Sequence, residues 1–306
     1  MVSDMSNLVP VNTMKANTLA DIMELKRDEY RYLLIDPLKA VCDVRPIHLS
    51  HLQKTLGDQA IRPVLRQDLA YSPQHCPQLV LLATPGCGCD AALLECLVDY
   101  AAEEALHEKR YLCAWLSSPQ PLEQLVVTLA DWCNHLDNSA FFPFFEPHRF
   151  ELLQATSPAK KLGGSIWPVS HWWYMSAAGN ITVVDGNEAT DKWQLTWGVQ
   201  HAQQAARMIW QLLFAWQQVC PTLPSDAVKL AAAAWREVEK TELTHVEDRL
   251  FLALNRLTLL VNIELHPQIN ALLQQAIASP ALRFTQLLNS LPESVWFELD
   301  NLSSSS

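Results

Sequence analysis

The last of the chain's 8 glycines stands at Gly198, and none follows it through Leu299. Across that stretch apolar residues recur three and four positions apart, the spacing of one helix face. Glycine supplies the left-handed bends of tight turns, so this half is expected to be helices joined by short links. A first helix is expected over 200–218, closed by Cys220-Pro221. A second, alanine-rich and capped by Ser225, is expected over 226–240. Thr244 and Glu247 have capping-box spacing for a third helix running to about 263. His266-Pro267 opens a fourth and Ser279-Pro280 a fifth.

Before Gly198 the pattern is mixed. Short apolar runs at 30–36, 60–66, 78–83 and 111–116 read as strands, the third and fourth almost wholly apolar, as central strands should be. Helical patterns fall at 46–56, 90–109 and 121–135. A Phe-rich strand is expected at 141–145, then a helix opened by Pro147, with Glu146 as its acidic cap. Late strands are expected at 181–184 and 193–197, joined by a turn at Asp185-Gly186-Asn187. The fold class is therefore α/β (α+β) followed by an all-helical lobe. The expected organisation is a flexible terminus at 1–16, a mixed lobe at 17–198, a helical lobe at 199–300 and a solvated tail at 301–306. No fixed-period repeat points to a solenoid.

A hydrophobic content of 49% is ample for a core. The net charge of −11 and the lack of a Lys/Arg cluster leave no footprint for nucleic acid or an anionic membrane surface, so neither is an expected partner. The first 16 residues lack the basic start and apolar run of a signal peptide. Asn255, Arg256, Asn262 and Glu264 break the longest apolar stretch, so a cytoplasmic protein is expected. The 8 cysteines show no framework spacing and read as reduced and mostly buried. Cys87-Gly88-Cys89 has only Asp90 nearby as a further metal ligand, and His48 with His51 lacks a third.

No enzyme pattern is complete. Gly163-Gly164-Ser165 lacks the basic helix start of a phosphate loop, because Lys160-Lys161 precede it. No Gly-x-Ser-x-Gly elbow occurs, and Glu146 beside His148 has no nucleophile. No catalytic residue, metal or cofactor is expected. The competing possibility is a small-molecule-processing α/β enzyme with a helical lid.

The run Phe141-Phe142-Pro143-Phe144-Phe145-Glu146-Pro147-His148-Arg149-Phe150, continued by Leu152-Leu153 and then Gly163-Gly164-Ser165-Ile166-Trp167-Pro168, resembles a family signature. That family is the adaptor-chaperones that load effectors onto the type VI secretion spike, formerly a domain of unknown function. The strand ending in Asp36 and the succession of strand, Ser117-Ser118-Pro119, Pro121-Leu122 and helix are similar to it as well. The resemblance implies a non-enzymatic protein with two partners, a cargo effector and the spike's C-terminal region. From the signature, Phe144, Glu146, Arg149 and Trp167 are candidate partner-binding residues. Trp172 and Trp173 join them as the best cluster among 11 tryptophans. Within 200–218, Ala202, Ala205, Ala206, Ile209, Leu213 and Trp216 should pack inward. A second stripe carries Trp210 and Phe214, which are either buried or the anchors of a groove, with burial favoured. Cargo contact is expected to be apolar and insensitive to salt.

Overall fold

The computed structural model describes residues 18–136, 141–157, 161–188, 195–259 and 262–304. The expected flexible terminus and Trp193 lie outside them.

The first lobe runs α1 (Leu19–Glu24), β1 (Tyr30–Ile35), α2 (Leu49–Leu56), β2 (Ile61–Pro63), β3 (Gln78–Ala83), α3 (Ala91–Glu103), β4 (Leu112–Ser118), α4 (Leu122–His135), α5 (Pro147–Thr156), α6 (Lys161–Ser165), β5 (His171–Met175) and β6 (Ile181–Asp185). The strands form one antiparallel sheet in the order β2-β3-β1-β4-β5-β6. Side chains alternate across it. Leu33, Val80, Trp115 and Trp173 pack under α1–α3, while Tyr32, Leu34, Leu116, Trp172 and Tyr174 pack under α4 and α5. Both faces are covered, which is why the central strands read as continuous apolar runs.

Residues 141–145 are not a strand. Pro143 interrupts a loop that presses its rings singly onto the sheet. Phe144 packs on Trp172 at 5.6 Å, and Phe150 stacks on Trp172 at 4.5 Å. Asp185-Gly186-Asn187 is likewise not a hairpin turn. The β5–β6 hairpin closes through Ser176–Asn180, with Gly179 at φ +77°. A Cβ at Gly186 would collide with the Val169 carbonyl, and one at Gly163 with the Asp185 carbonyl. Gly163-Gly164-Ser165 is thus a helix held against the sheet edge. Trp197 opens a helix instead of ending a strand.

The second lobe runs α7 (Trp197–Gln204), α8 (Ala206–Val219), α9 (Ala227–Glu239), α10 (Val246–Thr258), α11 (Pro267–Ala278), α12 (Phe284–Leu288) and α13 (Glu293–Ser304). The single helix expected over 200–218 breaks at Ala205, where ψ opens to 0°. The Ser225 cap and the Thr244–Glu247 box do not form. Asp226 and His245 take the cap positions without side-chain bonds. The helix predicted from Ser279-Pro280 starts at Phe284, and α13 runs on through Ser304, past the expected start of the tail at 301.

One buried cluster spans both lobes. Leu106, Leu152 and Ala177 of the first join the helical core of the second. Gln203 donates to the Arg149 carbonyl at 3.0 Å, and Trp210 Nε1 to the Leu106 carbonyl at 3.0 Å.

Candidate functional site

Where the lobes meet, the loop that follows α3 faces α8 across a groove. Its larger compartment, about 550 Å³, is lined by Leu106, Lys109, Trp210 and Phe214 among others. A neighbouring compartment of about 250 Å³ adds Arg66, Pro143, Glu146, His148 and Arg149. Glu108, Lys109, Arg207 and Trp210 belong to both, so the two are continuous.

Each wall has a local cause. Trp210 and Phe214 are four residues apart on α8 and so lie on one side of it. Trp210 is only 5% exposed, because its indole is wedged between the Arg110 guanidinium, 5.0 Å from the ring, and His148 at 5.1 Å. Phe214, one turn further, is 53% exposed. Pro147 starts α5 and sets Glu146 at its mouth.

The Glu146 carboxylate does not cap α5. It accepts from Arg149 Nε at 3.0 Å and from Lys109 Nζ at 3.3 Å. Two cations within reach outcompete the helix's own amides for it. Glu146→Ala should therefore cost about 1 kcal/mol, an amount that shrinks with added salt as an ion pair's does. Urea melts at two ionic strengths check this, and a salt-independent loss would restore the cap. The Glu146 Oε2 approach to His148 Nε2, 3.6 Å, is to a neutral ring. Burial, then the Arg110, Arg149 and Lys109 charges, hold the His148 imidazole well below its usual range.

Beneath the groove, Arg110 is buried and donates Nη1 to the Met175 carbonyl at 2.6 Å. Glu151, also buried, accepts from the Ala177 amide at 2.8 Å. Burial raises the Glu151 carboxyl from 4.5 to about 7, against the opposing pull of that amide and Arg110. Folded, it holds its proton to about 7, whereas unfolded it ionises near 4.5. Its contribution to stability is therefore full below 4.5 and is lost as pH climbs through 7. Relative to the parent, Glu151→Gln should gain about 3 kcal/mol between these limits, at ~1.4 kcal/mol per unit. Denaturation of both proteins across that window checks it, and a pH-independent difference would refute it.

The candidate residues divide. Glu146, Arg149, Trp210 and Phe214 line the groove. Phe144 is fully buried on the sheet, and Trp167 is half-buried away from the groove lining. Trp172 and Trp173 are corrected to core residues. Adjacent in β5, they enter opposite faces of the sheet, at 0% and 2% exposure. Lys39, Arg66, Leu106, Lys109 and Arg207 were missed. Lys39, Arg66 and the loop that carries Leu106 and Lys109 lie far from one another and from Arg207 on α8 in the sequence, and no spacing links them.

Across the sheet, Ser117 Oγ lies 2.9 Å from His171 Nδ1, whose Nε2 lies 3.6 Å from Asp185. Ser117 has no exposed surface, so its hydroxyl links strands and meets no substrate. Among the described residues no group of three or more His, Cys, Asp or Glu is placed to hold a metal. Nor is any helix there long and apolar enough to cross a membrane. No protein-family model, curated protein or solved structure matches the chain.

Proposed function

We propose that this chain is a non-enzymatic, cytoplasmic adaptor-chaperone that binds a toxin effector and helps load it onto the spike protein of a type VI secretion system. The support is a convergence on one surface. Glu146 and Arg149 come from the stretch that resembles the adaptor family, and Trp210 and Phe214 from the helical lobe, yet all four line the same groove. Phe214 carries the proposal, since a half-exposed aromatic beside a partly apolar cleft is the kind of anchor protein partners use.

A tagged copy expressed in the bacterium that encodes it should recover both the effector and the spike. Recovery of neither would sink the proposal. The larger compartment is also of a size that takes a small ligand, which keeps an enzyme with a helical lid as the second reading. A nucleotide or metabolite at 100 times its Kd should then raise stability by about 2.7 kcal/mol in a thermal-shift panel. The adaptor reading expects no such rise.

A further inference from the structure

We propose that the groove receives a short peptide segment of a partner protein, in which a large apolar side chain is flanked by carboxylates. The identity of that partner rests on the adaptor reading, whereas the chemistry of the segment rests on the groove alone.

Charge is the deciding observation. The chain carries 33 acidic against 22 basic residues. The groove lining reverses that balance, with Lys39, Arg66, Lys109, Arg149 and Arg207 against Glu108 and Glu146. Even counting Asp68, which pairs with Arg66 at 2.7 Å, the cations stay in excess. Glu146 is shared between Lys109 and Arg149, and Glu108 meets Arg207 at 3.4 Å with both side chains mostly exposed. Two carboxylates divided in this way leave the rim positive.

Between the cations lie Leu106, Trp210 and the half-exposed Phe214. An apolar side chain set on them removes that surface from water, while flanking carboxylates reach the rim. The compartments hold a few side chains, not a whole helix. A nucleic-acid strand would also present anions, but its length would carry it over the acidic remainder of the surface, where it is repelled. A short acidic segment meets the basic groove only. Binding should accordingly depend on salt, which revises the expectation of a purely apolar contact.

The test pans a displayed library of random peptides against the intact protein, the Phe214→Ser variant and the Arg207→Glu variant. Both positions are exposed, so unchanged melting certifies the folds. Enriched peptides should place Asp or Glu around an aromatic or aliphatic residue and should be lost from both variants. By fluorescence anisotropy, an enriched peptide should bind about tenfold more weakly to Phe214→Ser. It should also bind about tenfold more weakly on passing from low to moderate salt.

The proposal is overturned by no enrichment, by enrichment of neutral or basic peptides, or by indifference to both substitutions. Tighter binding of a single-stranded oligonucleotide, lost from Arg207→Glu, would overturn it in favour of nucleic acid. If the peptides behave as stated while tagged protein recovers neither effector nor spike from cells, the adaptor reading alone fails. If effector and spike are recovered equally by both variants, the groove proposal alone fails.

Discussion

Asp248→Ala should lower the stability of the folded chain by about 3 kcal/mol, the upper end for stripping buried donors of a charged acceptor. Asp248 sits on α10 with no exposed surface. Its carboxylate accepts from the Phe284 amide at 2.8 Å, the Thr285 amide at 3.0 Å and the Thr285 hydroxyl at 2.7 Å. Those amides open α12, where a helix leaves its first N–H groups without internal partners and its dipole favours negative charge. The cap thus comes from a helix distant in sequence, and removing it strands a buried amide on Phe284, itself fully buried. A domain's whole stability is about 5–15 kcal/mol, so the helical lobe should melt far earlier. Asp248→Asn keeps one acceptor oxygen and should lose about half as much. Urea denaturation followed by circular dichroism measures both, and an alanine loss below about 1 kcal/mol would show the cap to be dispensable.

Trp210→Ala should cost at least as much, about 3–5 kcal/mol, by cavity formation at the seam between the lobes. The indole fills space against His148 and Arg110, and its N–H is spent on the Leu106 carbonyl. Trp210→Phe, which keeps most of the ring, should lose only about 1 kcal/mol for the missing hydrogen bond. Phe214→Ala, one turn away, should change stability by less than about 1 kcal/mol, because the ring is half in water already. Equal destabilisation by the two alanine variants would contradict the division of α8 into a buried and a presenting residue.

The lobe order was legible because it follows from local rules. A glycine-free helical periodicity gave the second lobe, and apolar runs gave β1, β3 and β4, which lie inside the sheet with both faces covered. Pro147 and Pro267 each mark the helix start that proline geometry favours. What failed depended on distant partners. Thr244 and Glu247 have the spacing of a cap, but the chain leaves them unused, and Asp248 on the same helix spends its carboxylate on α12. Residues 141–145 have the composition of a strand, but their rings are drawn singly onto a sheet already formed. Trp172-Trp173 is the instructive miss, since period-two alternation alone sends neighbours in a strand to opposite faces. The groove was half visible. Arg149 and Phe214 were found by motif and stripe, while Lys39, Arg66, Lys109 and Arg207 meet only in three dimensions.

A photo-crosslinking amino acid placed at Phe214 in living cells would show whether partners dock in the groove. A control probe belongs at Leu265, which is also exposed but absent from the groove lining. On illumination, the probe at 214 should yield an adduct with the effector or the spike, and the probe at 265 should not. Adducts with either protein from 265 alone, or none from 214 while tagged protein still captures both, would place docking elsewhere than in the groove.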